Sequence, residues 1–153
     1  MNTATFTRGA VAGLSAASIL GGEPVLHALP RSVLEWIALV RHGISASAID
    51  AVVRVMGIGQ SELSLALAIP ERTLVRRKKE GILNPDESGK MVRLAQVIER
   101  AVAVFEDEQA ALGWLKRPNA ALGGCSPLSL LDTELGSLAV VNTLGRIEHG
   151  VFA

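Results

Sequence analysis

The sequence has few of the residues on which specialised sites are usually built. Its 153 residues include one cysteine, Cys125, no tyrosine and only 3% aromatic residues. A single cysteine excludes an internal disulfide framework and cannot form a cysteine-based metal site without other ligands, so a reducing cytoplasm is the expected setting. Because aromatic residues are scarce, the core must consist of leucine, valine, isoleucine and alanine, a composition typical of packed helices.

An excess of charge and long apolar runs are also missing. Fifteen basic residues balance fifteen acidic ones, so only local patches of charge can support a nucleic-acid partner. No run approaches the roughly 18 apolar residues of a membrane span. Residues 8–22 superficially resemble a short secretory signal, but their glycines and serines make a poor hydrophobic segment. A flexible or weakly helical arm over residues 1–31 is expected instead.

Helical periodicity is the dominant pattern in the rest of the chain. No alternation typical of strands persists for five residues, which predicts an all-α fold. Two of the short helices are separated by three residues, Ala68-Ile69-Pro70, an arrangement typical of a helix-turn-helix. The predicted helices cover residues 33–40, 47–56, 61–67, 71–80, 91–105, 108–116 and 127–131, followed by a last helix that ends before Gly150. Gly43 and Gly57 are predicted to end the first two of these helices, and Ser32 and Asp107 to cap the helices that follow them.

The last helix is expected to begin after Asp132 or Thr133, either of which can cap it. Apolar residues recur along it at three-residue steps, so one face is expected to point into the core. The predicted inward residues are Leu135, Leu138, Val141, Leu144 and Ile147.

The C-terminal third contains a distinctive string of motifs. Trp114-Leu115 precedes a turn with the sequence PNAALGG over residues 118–124, a capped short helix follows at Ser126-Pro127-Leu128, and residues 144–152 read LGRIEHGVF. This string resembles the toxin-binding domain of the Xre/MbcA/ParS antitoxins. Upstream, residues 63–83 and the helix start at Glu87-Ser88 resemble the Xre-type helix-turn-helix of the same family.

The resemblance covers residues 32–153 and implies both an architecture and a function. It divides the chain into an arm (1–31), an Xre-like helix-turn-helix domain (32–86) and a small helical toxin-binding domain (87–153). It implies an antitoxin without catalytic activity or cofactor that forms a homodimer, binds a RES-domain toxin whose substrate is NAD, and often represses its own operon. Cys125 departs from the family pattern, which expects a polar or basic residue there.

Candidate toxin-binding residues lie in the turn and at the end of the chain. A toxin whose pocket receives a dinucleotide can be neutralised by plugging that pocket. Arg146 can pair with acceptors there, Glu148 can occupy a basic phosphate site, and Val151 with Phe152 can supply an apolar anchor. The alternative is a solvated helix end with a phenylalanine folded onto its own core. The candidate set is Asn119, Arg146, Glu148, Gly150, Val151 and Phe152.

Candidate DNA-binding residues lie in the helix over residues 71–80, which holds five cations and two glutamates. Arg72 and Thr73 are predicted to read bases, Arg76 to reach a base or the backbone, and Arg77 and Lys79 to meet phosphates. The alternative is an ordinary solvated helix face. Because so small a patch neutralises few phosphates, a dimer is expected to be needed for affinity.

Two other classes of function make different demands on the sequence. An enzyme is disfavoured, because His27, His42 and His149 lack the spacing of metal ligands and Cys125 follows no strand that could form a nucleophile elbow. A stand-alone helix-turn-helix regulator is the alternative to an antitoxin. It predicts that Arg76→Ala abolishes function and that loss of residues 146–153 does little, whereas the antitoxin predicts the opposite for neutralisation.

Overall fold

A computed structural model describes residues 14–150 of the chain, and its regular structure is helical. The described residues contain only isolated bridges and no strand, and the predicted all-α class is confirmed. None of the helices in this part of the chain is both long and apolar enough to cross a membrane. The α-helices are α1 (Ala16–Ile19), α2 (Glu23–Leu26), α3 (Val33–His42), α4 (Ser47–Met56), α5 (Gln60–Leu67), α6 (Glu71–Glu80), α7 (Pro85–Phe105), α8 (Glu108–Lys116) and α9 (Glu134–Glu148), with 3₁₀ helices at Ala120–Leu122 and Pro127–Leu130.

Helix α7 is the centre of the fold. Asn84 begins it through a reciprocal capping box in which the Asn84 side chain accepts from the Glu87 amide (2.8 Å) and the Glu87 carboxylate accepts from the Asn84 amide (3.0 Å). Its apolar side chains are buried on more than one face, and α1, α3, α5, α8 and α9 all pack against it. The surfaces of both halves of the chain are therefore positioned by one continuous helix of 21 residues.

A tight connection fixes the end of α3 to α7. The Ile44 amide donates to the buried Ser88 hydroxyl (2.9 Å), and the Leu83 amide donates to the Ile44 carbonyl (2.9 Å). Gly43 has φ of 97°, and a Cβ at this position would collide with the Leu83 carbonyl. Glycine is therefore required where α3 ends, as the sequence pattern predicted.

The part of the predicted flexible or weakly helical arm that follows residue 14 is helical and packed against the core. Ser15 and Ser18 form a capping box at the start of α1, and Ile19 and Leu20 are fully buried. The glycines at 21 and 22 adopt positive φ and make the turn into α2, so they organise this segment rather than loosen it. Residues 1–13 lie outside the described residues.

The predicted inward face of α9 is wrong at three positions. Leu135 is 80% exposed, Leu138 56% and Val141 37%, whereas Leu144 is buried as predicted and Ile147 is half-buried. Counting apolar residues therefore selected the wrong side of the helix.

Gly136 explains the rotation of α9. A Cβ on this glycine would overlap the Leu130 carbonyl, so the N-terminal turn of α9 can lie against the preceding 3₁₀ helix only with glycine at this point. That contact turns Ser137 and Val140 into the core and leaves Leu135 outside. Thr143, also on the inner side, is accommodated because its hydroxyl donates to the Ala139 carbonyl (2.8 Å).

Candidate functional site

The α5–α6 pair forms a compact helix-turn-helix. Ala68 ends α5 in the left-handed conformation (φ 55°), and Ile69 in the turn is buried. The Ser64 hydroxyl donates to the Ile69 carbonyl (2.6 Å) and so satisfies a buried polar group of the turn. Leu74 anchors α6 in the core, so the opposite side of α6 faces solvent.

The cations of α6 differ in solvent exposure and in ion pairing. Arg72 and Lys79 are exposed and make no ion pair within residues 14–150. Arg76 is also exposed, and its Nε lies 3.7 Å from Glu80 Oε2, a loose pair on the surface. Thr73 is half-buried beside Arg72. Helix α6 thus presents Arg72, Arg76 and Lys79 to solvent, with Thr73 partly covered next to Arg72.

Arg77, the fifth predicted DNA-binding residue, is half-buried and hydrogen-bonded to two carboxylates. Its guanidinium donates to both oxygens of Glu87 (2.8 and 3.1 Å) and to Glu80 Oε1 (2.9 Å). Burial raises the pKa of Glu87, but the hydrogen bonds from Arg77 and the Asn84 amide outweigh it and lower the pKa below the ordinary 4.5. Arg77 therefore ties α6 to the first turn of α7, a role that its place in the cationic run did not indicate.

The Arg77–Glu87 pair predicts a pH-dependent stability. We expect Glu87→Gln to lower the free energy of unfolding at pH 7 by about 1–2 kcal/mol, because it weakens a charged hydrogen-bonded pair with little exposure. Since the pKa of Glu87 is lowered by folding, its contribution is present above the unfolded-state pKa and is lost as pH falls through the folded value. In urea unfolding of the wild type and of Glu87→Gln at a series of pH values from 7 downward, the difference between their free energies of unfolding should therefore shrink as the pH falls below the unfolded-state pKa.

The matched control for this prediction is Glu80→Gln, which removes the outer carboxylate on the same guanidinium, 46% exposed. It should change stability little at any pH in the series. An equal effect of the two substitutions would contradict the role assigned to Glu87.

Asn119 shapes the turn that precedes the second 3₁₀ helix. Its side chain accepts from the Ala121 amide (2.8 Å), and its backbone exchanges hydrogen bonds with the loop at Cys125 (3.0 Å) and Gly124 (2.9 Å). The residue is half-buried, whereas Cys125 is exposed. Asn119 thus holds the loop, and a contact of its amide with a partner stays a prediction.

The end of α9 is fixed to α7 by an ion pair that the sequence did not reveal. Arg100 Nη2 donates to Glu148 Oε1 (2.6 Å), across 48 residues of chain. The hydrogen bond from Arg100 lowers the pKa of the Glu148 carboxyl and keeps it ionised. Both oxygens of a carboxylate can still accept, but Glu148 is oriented toward α7 rather than along the end of the chain.

The solvent side of α9 joins apolar and charged groups. We call Leu135, Leu138 and Val141 the α9 strip. Because Arg146 follows Leu135 by 11 residues at about 100° per residue, the two lie on the same side of the helix. Arg146 is exposed and unpaired within the described residues, and Gly150 (φ 75°) ends the helical region. The predicted residues Val151 and Phe152 lie outside the described part of the chain.

Other side chains singled out by the sequence are structural. Trp114 packs on Phe105 with ring centroids 5.7 Å apart, against the C-terminal part of the core. Among residues 14–150, no group of three or more histidine, cysteine or carboxylate side chains could hold a metal ion.

Two family models match the chain in succession. An antitoxin Xre-like helix-turn-helix domain matches residues 35–96, which contain α5, the turn and α6. The antitoxin Xre/MbcA/ParS C-terminal toxin-binding domain matches residues 100–150, which contain the loop of Asn119 and the α9 strip. Helix α6 thus lies within the match to the helix-turn-helix domain, and the α9 strip lies within the match to the toxin-binding domain.

Curated antitoxins match the chain over most of their length. The chain is 39% identical over 116 residues to an Antitoxin Xre of Yersinia enterocolitica, covering 74% of this chain and 78% of that protein. An Antitoxin Xre of Photorhabdus laumondii is 35% identical with the same coverage, and a Prs ADP-ribosylating antitoxin of a Sphingobium species is 26% identical over 80% of this chain and 83% of its own. The chain therefore belongs to the Xre/MbcA/ParS family of antitoxins.

Proposed function

We propose that this antitoxin neutralises a RES-domain toxin that uses NAD, by docking through the α9 strip and placing the end of the chain in the toxin's active site. One observation carries the proposal: within the matched toxin-binding domain, α9 exposes Leu135 on the same side as Arg146, which makes no ion pair among residues 14–150, and exposes Leu138 next to Leu135. The name of the Sphingobium relative accords with a toxin of this chemistry, since ADP-ribosylation uses NAD as its donor.

The proposed inhibition requires different contributions from different residues. Leu135 and Leu138 supply apolar area, whose burial in an interface removes it from water. Arg146 supplies donors that can pair with acceptor groups of the toxin pocket, and Gly150, Val151 and Phe152 extend that contact. Glu148 pairs with Arg100 of α7 at the end of α9, and its second carboxylate oxygen can accept from basic groups of the toxin.

Co-expression with the product of the neighbouring gene tests the proposal. The toxin alone should arrest growth and deplete NAD or ADP-ribosylate a protein, and the full chain should restore growth and co-purify with it. If the chain binds no toxin and restores no growth but still binds the DNA upstream of its gene, the stand-alone regulator replaces the antitoxin.

We also propose that the chain represses its own operon as a homodimer, with α6 in the major groove. The exposed cations Arg72, Arg76 and Lys79 support this, because phosphates and base edges are the usual partners of such a helix. The activity proposed at both surfaces is binding, without a catalytic step or cofactor. A reducing cytoplasm is the proposed setting, since the only cysteine is an exposed free thiol.

The DNA proposal makes a prediction about salt. Arg72→Ala should weaken binding to the upstream DNA by about 1–3 kcal/mol, because it removes hydrogen bonds to a base. Lys79→Ala should weaken binding to all sequences alike and reduce the slope of log affinity against log salt by about 0.9 for each phosphate that is no longer neutralised. Titrations at several salt concentrations measure both effects. The control is Arg93→Ala on α7, outside the α5–α6 pair, and an equal loss of affinity in that variant would contradict the assignment to α6.

A further inference from the structure

An open cleft lies on the N-terminal side of the fold, between α1, α2, α3 and α7. Its volume is about 420 Å³, within the range of about 300–1,000 Å³ in which protein pockets bury a ligand. Two of its lining residues are large and apolar: Trp36, which is half-buried, and Leu29, which is 52% exposed. Apolar side chains therefore stay in contact with water along this cleft unless another segment covers them.

The charged side chains that line the cleft are both acidic. They are Glu23 and Glu99, which are exposed and make no ion pair among residues 14–150. Glu23 lies in the first turn of α2, where a carboxylate is favourable next to free amide groups. Glu99 has no such local support, because none of the positions three or four residues away on α7 carries a cation. A cation that entered the cleft would therefore find a carboxylate beside apolar side chains.

Residues 1–13 precede the described chain and supply side chains that complement the cleft. Arg8 is their only charged residue, and Phe6 is their only aromatic one. The described chain begins at Leu14, which packs against the core, and the next residue, Ser15, already lines the cleft. Arg8 lies six residues before Leu14, a distance of at most about 20 Å in extended chain. The side chains of Arg8 and Phe6 can therefore reach the cleft of their own molecule.

We propose that residues 6–8 of this chain dock in the cleft. The Arg8 guanidinium pairs with the Glu99 carboxylate, and the Phe6 ring packs on Trp36. A charge-assisted hydrogen bond and the burial of an aromatic ring are the strongest interactions that these two side chains can form. The proposal does not rest on the proposed toxin and DNA contacts, because no residue of α6 or of the α9 strip lines the cleft.

Trypsin cleavage after Arg8 tests the docking in the full chain. Trypsin must bind the Arg8 side chain itself, so the rate at which the bond between Arg8 and Gly9 is cut follows the fraction of molecules that are undocked. Glu99→Gln weakens the charge-assisted hydrogen bond and should raise this rate by about 10-fold. Mass spectrometry of the released residues 1–8 at early times measures it.

The matched control for the cleavage is Glu62→Gln, which changes an exposed carboxylate on α5, outside the cleft. It should be cut after Arg8 at the rate of the wild type. A wild type that is cut as fast as Glu99→Gln would overturn the proposal, and so would an equal acceleration in Glu62→Gln.

A disulfide tests where the segment lies and whether it belongs to the same molecule. Gln96 is exposed on α7 and lines the cleft. In a Cys125→Ser background, which removes the exposed native thiol, Thr7→Cys combined with Gln96→Cys should form a disulfide within one chain under mild oxidation. Thr7→Cys combined with Ser61→Cys, exposed on α5, should react at least about 10-fold more slowly, because docking raises the effective concentration of the first pair of thiols alone.

The products of oxidation separate docking within one chain from other occupants of the cleft. A disulfide from Thr7→Cys of one chain to Gln96→Cys of another, seen as a doubled mass, would place a second copy in the cleft and overturn the proposal. Equal rates for the Gln96 and Ser61 pairs would also overturn it. These variants leave the α9 strip unchanged, so a failure to neutralise a toxin in the co-expression assay would leave the docking result standing.

Discussion

A chain that ends at Leu144 is expected to lose neutralisation of its toxin by at least about 100-fold. The deletion removes Arg146 together with Val151 and Phe152, and the loss of two or three anchors in a pocket costs several kcal/mol of binding. The core should survive, because Leu144 is the last fully buried residue in the described chain. Growth rescue and the NAD-dependent activity of the toxin, measured at increasing amounts of each antitoxin, give the comparison.

Two further chains separate an inserted plug from a general loss of the helix end. A chain that ends at Gly150 keeps every described residue of α9 and lacks only residues 151–153. Glu148→Gln keeps the full length and weakens the ion pair to Arg100. If the end of the chain is inserted into the toxin pocket, the chain that ends at Gly150 should lose much of its neutralisation, and Glu148→Gln should lose little. If the chain ending at Leu144 neutralises as well as the full chain does, the inhibitory surface lies elsewhere in residues 100–144.

Leu138→Asp is expected to weaken toxin binding by about 100-fold without unfolding the antitoxin. Leu138 is 56% exposed on α9, so the folded chain tolerates the charge, whereas an interface that buries this position must desolvate it. Leu138→Met should retain binding, because it preserves apolar volume. Calorimetry with an inactive toxin, together with thermal melting of each variant, measures affinity and stability separately.

The control for Leu138→Asp is Leu65→Asp on α5. It adds the same charge at an exposed leucine outside residues 100–150. It should bind the toxin normally. Tight binding by Leu138→Asp would show that the α9 strip faces solvent in the complex. The two predictions also test different steps: the chain ending at Leu144 should keep weak binding through the strip, whereas Leu138→Asp should lose binding and inhibition together.

Local signals explain why much of the fold could be predicted. Ser32 caps α3, Gly43 and Gly57 end α3 and α4, and Asp107 caps α8, all as expected. Caps and glycine ends act within one turn of the chain, so neighbouring residues suffice to place them. The resemblance to a family then joined these helices into two domains.

The features that could not be predicted depend on residues far apart in the chain. The rotation of α9 follows from the approach of Gly136 to the Leu130 carbonyl, a contact between elements that the three-residue spacing of the apolar residues cannot reveal. Glu148 meets Arg100 across 48 residues, a contact that no local spacing announces. At the N-terminus, burial of Ile19 and Leu20 outweighs the glycines that suggested flexibility.

The length of α7 constrains how proteins of this kind can diversify. The helix-turn-helix match ends at residue 96 and the toxin-binding match begins at residue 100, both inside the same unbroken helix, Pro85–Phe105. Inserting one residue between them would turn everything downstream by about 100° around the helix axis. Ile98 and Val102 would then leave the core. Recombination that replaces one of the two domains with that of a relative must therefore keep the number of residues between them, so that the helix keeps its phase. New combinations of DNA specificity and toxin specificity are expected to arise by substitution or by exchanges that keep this spacing.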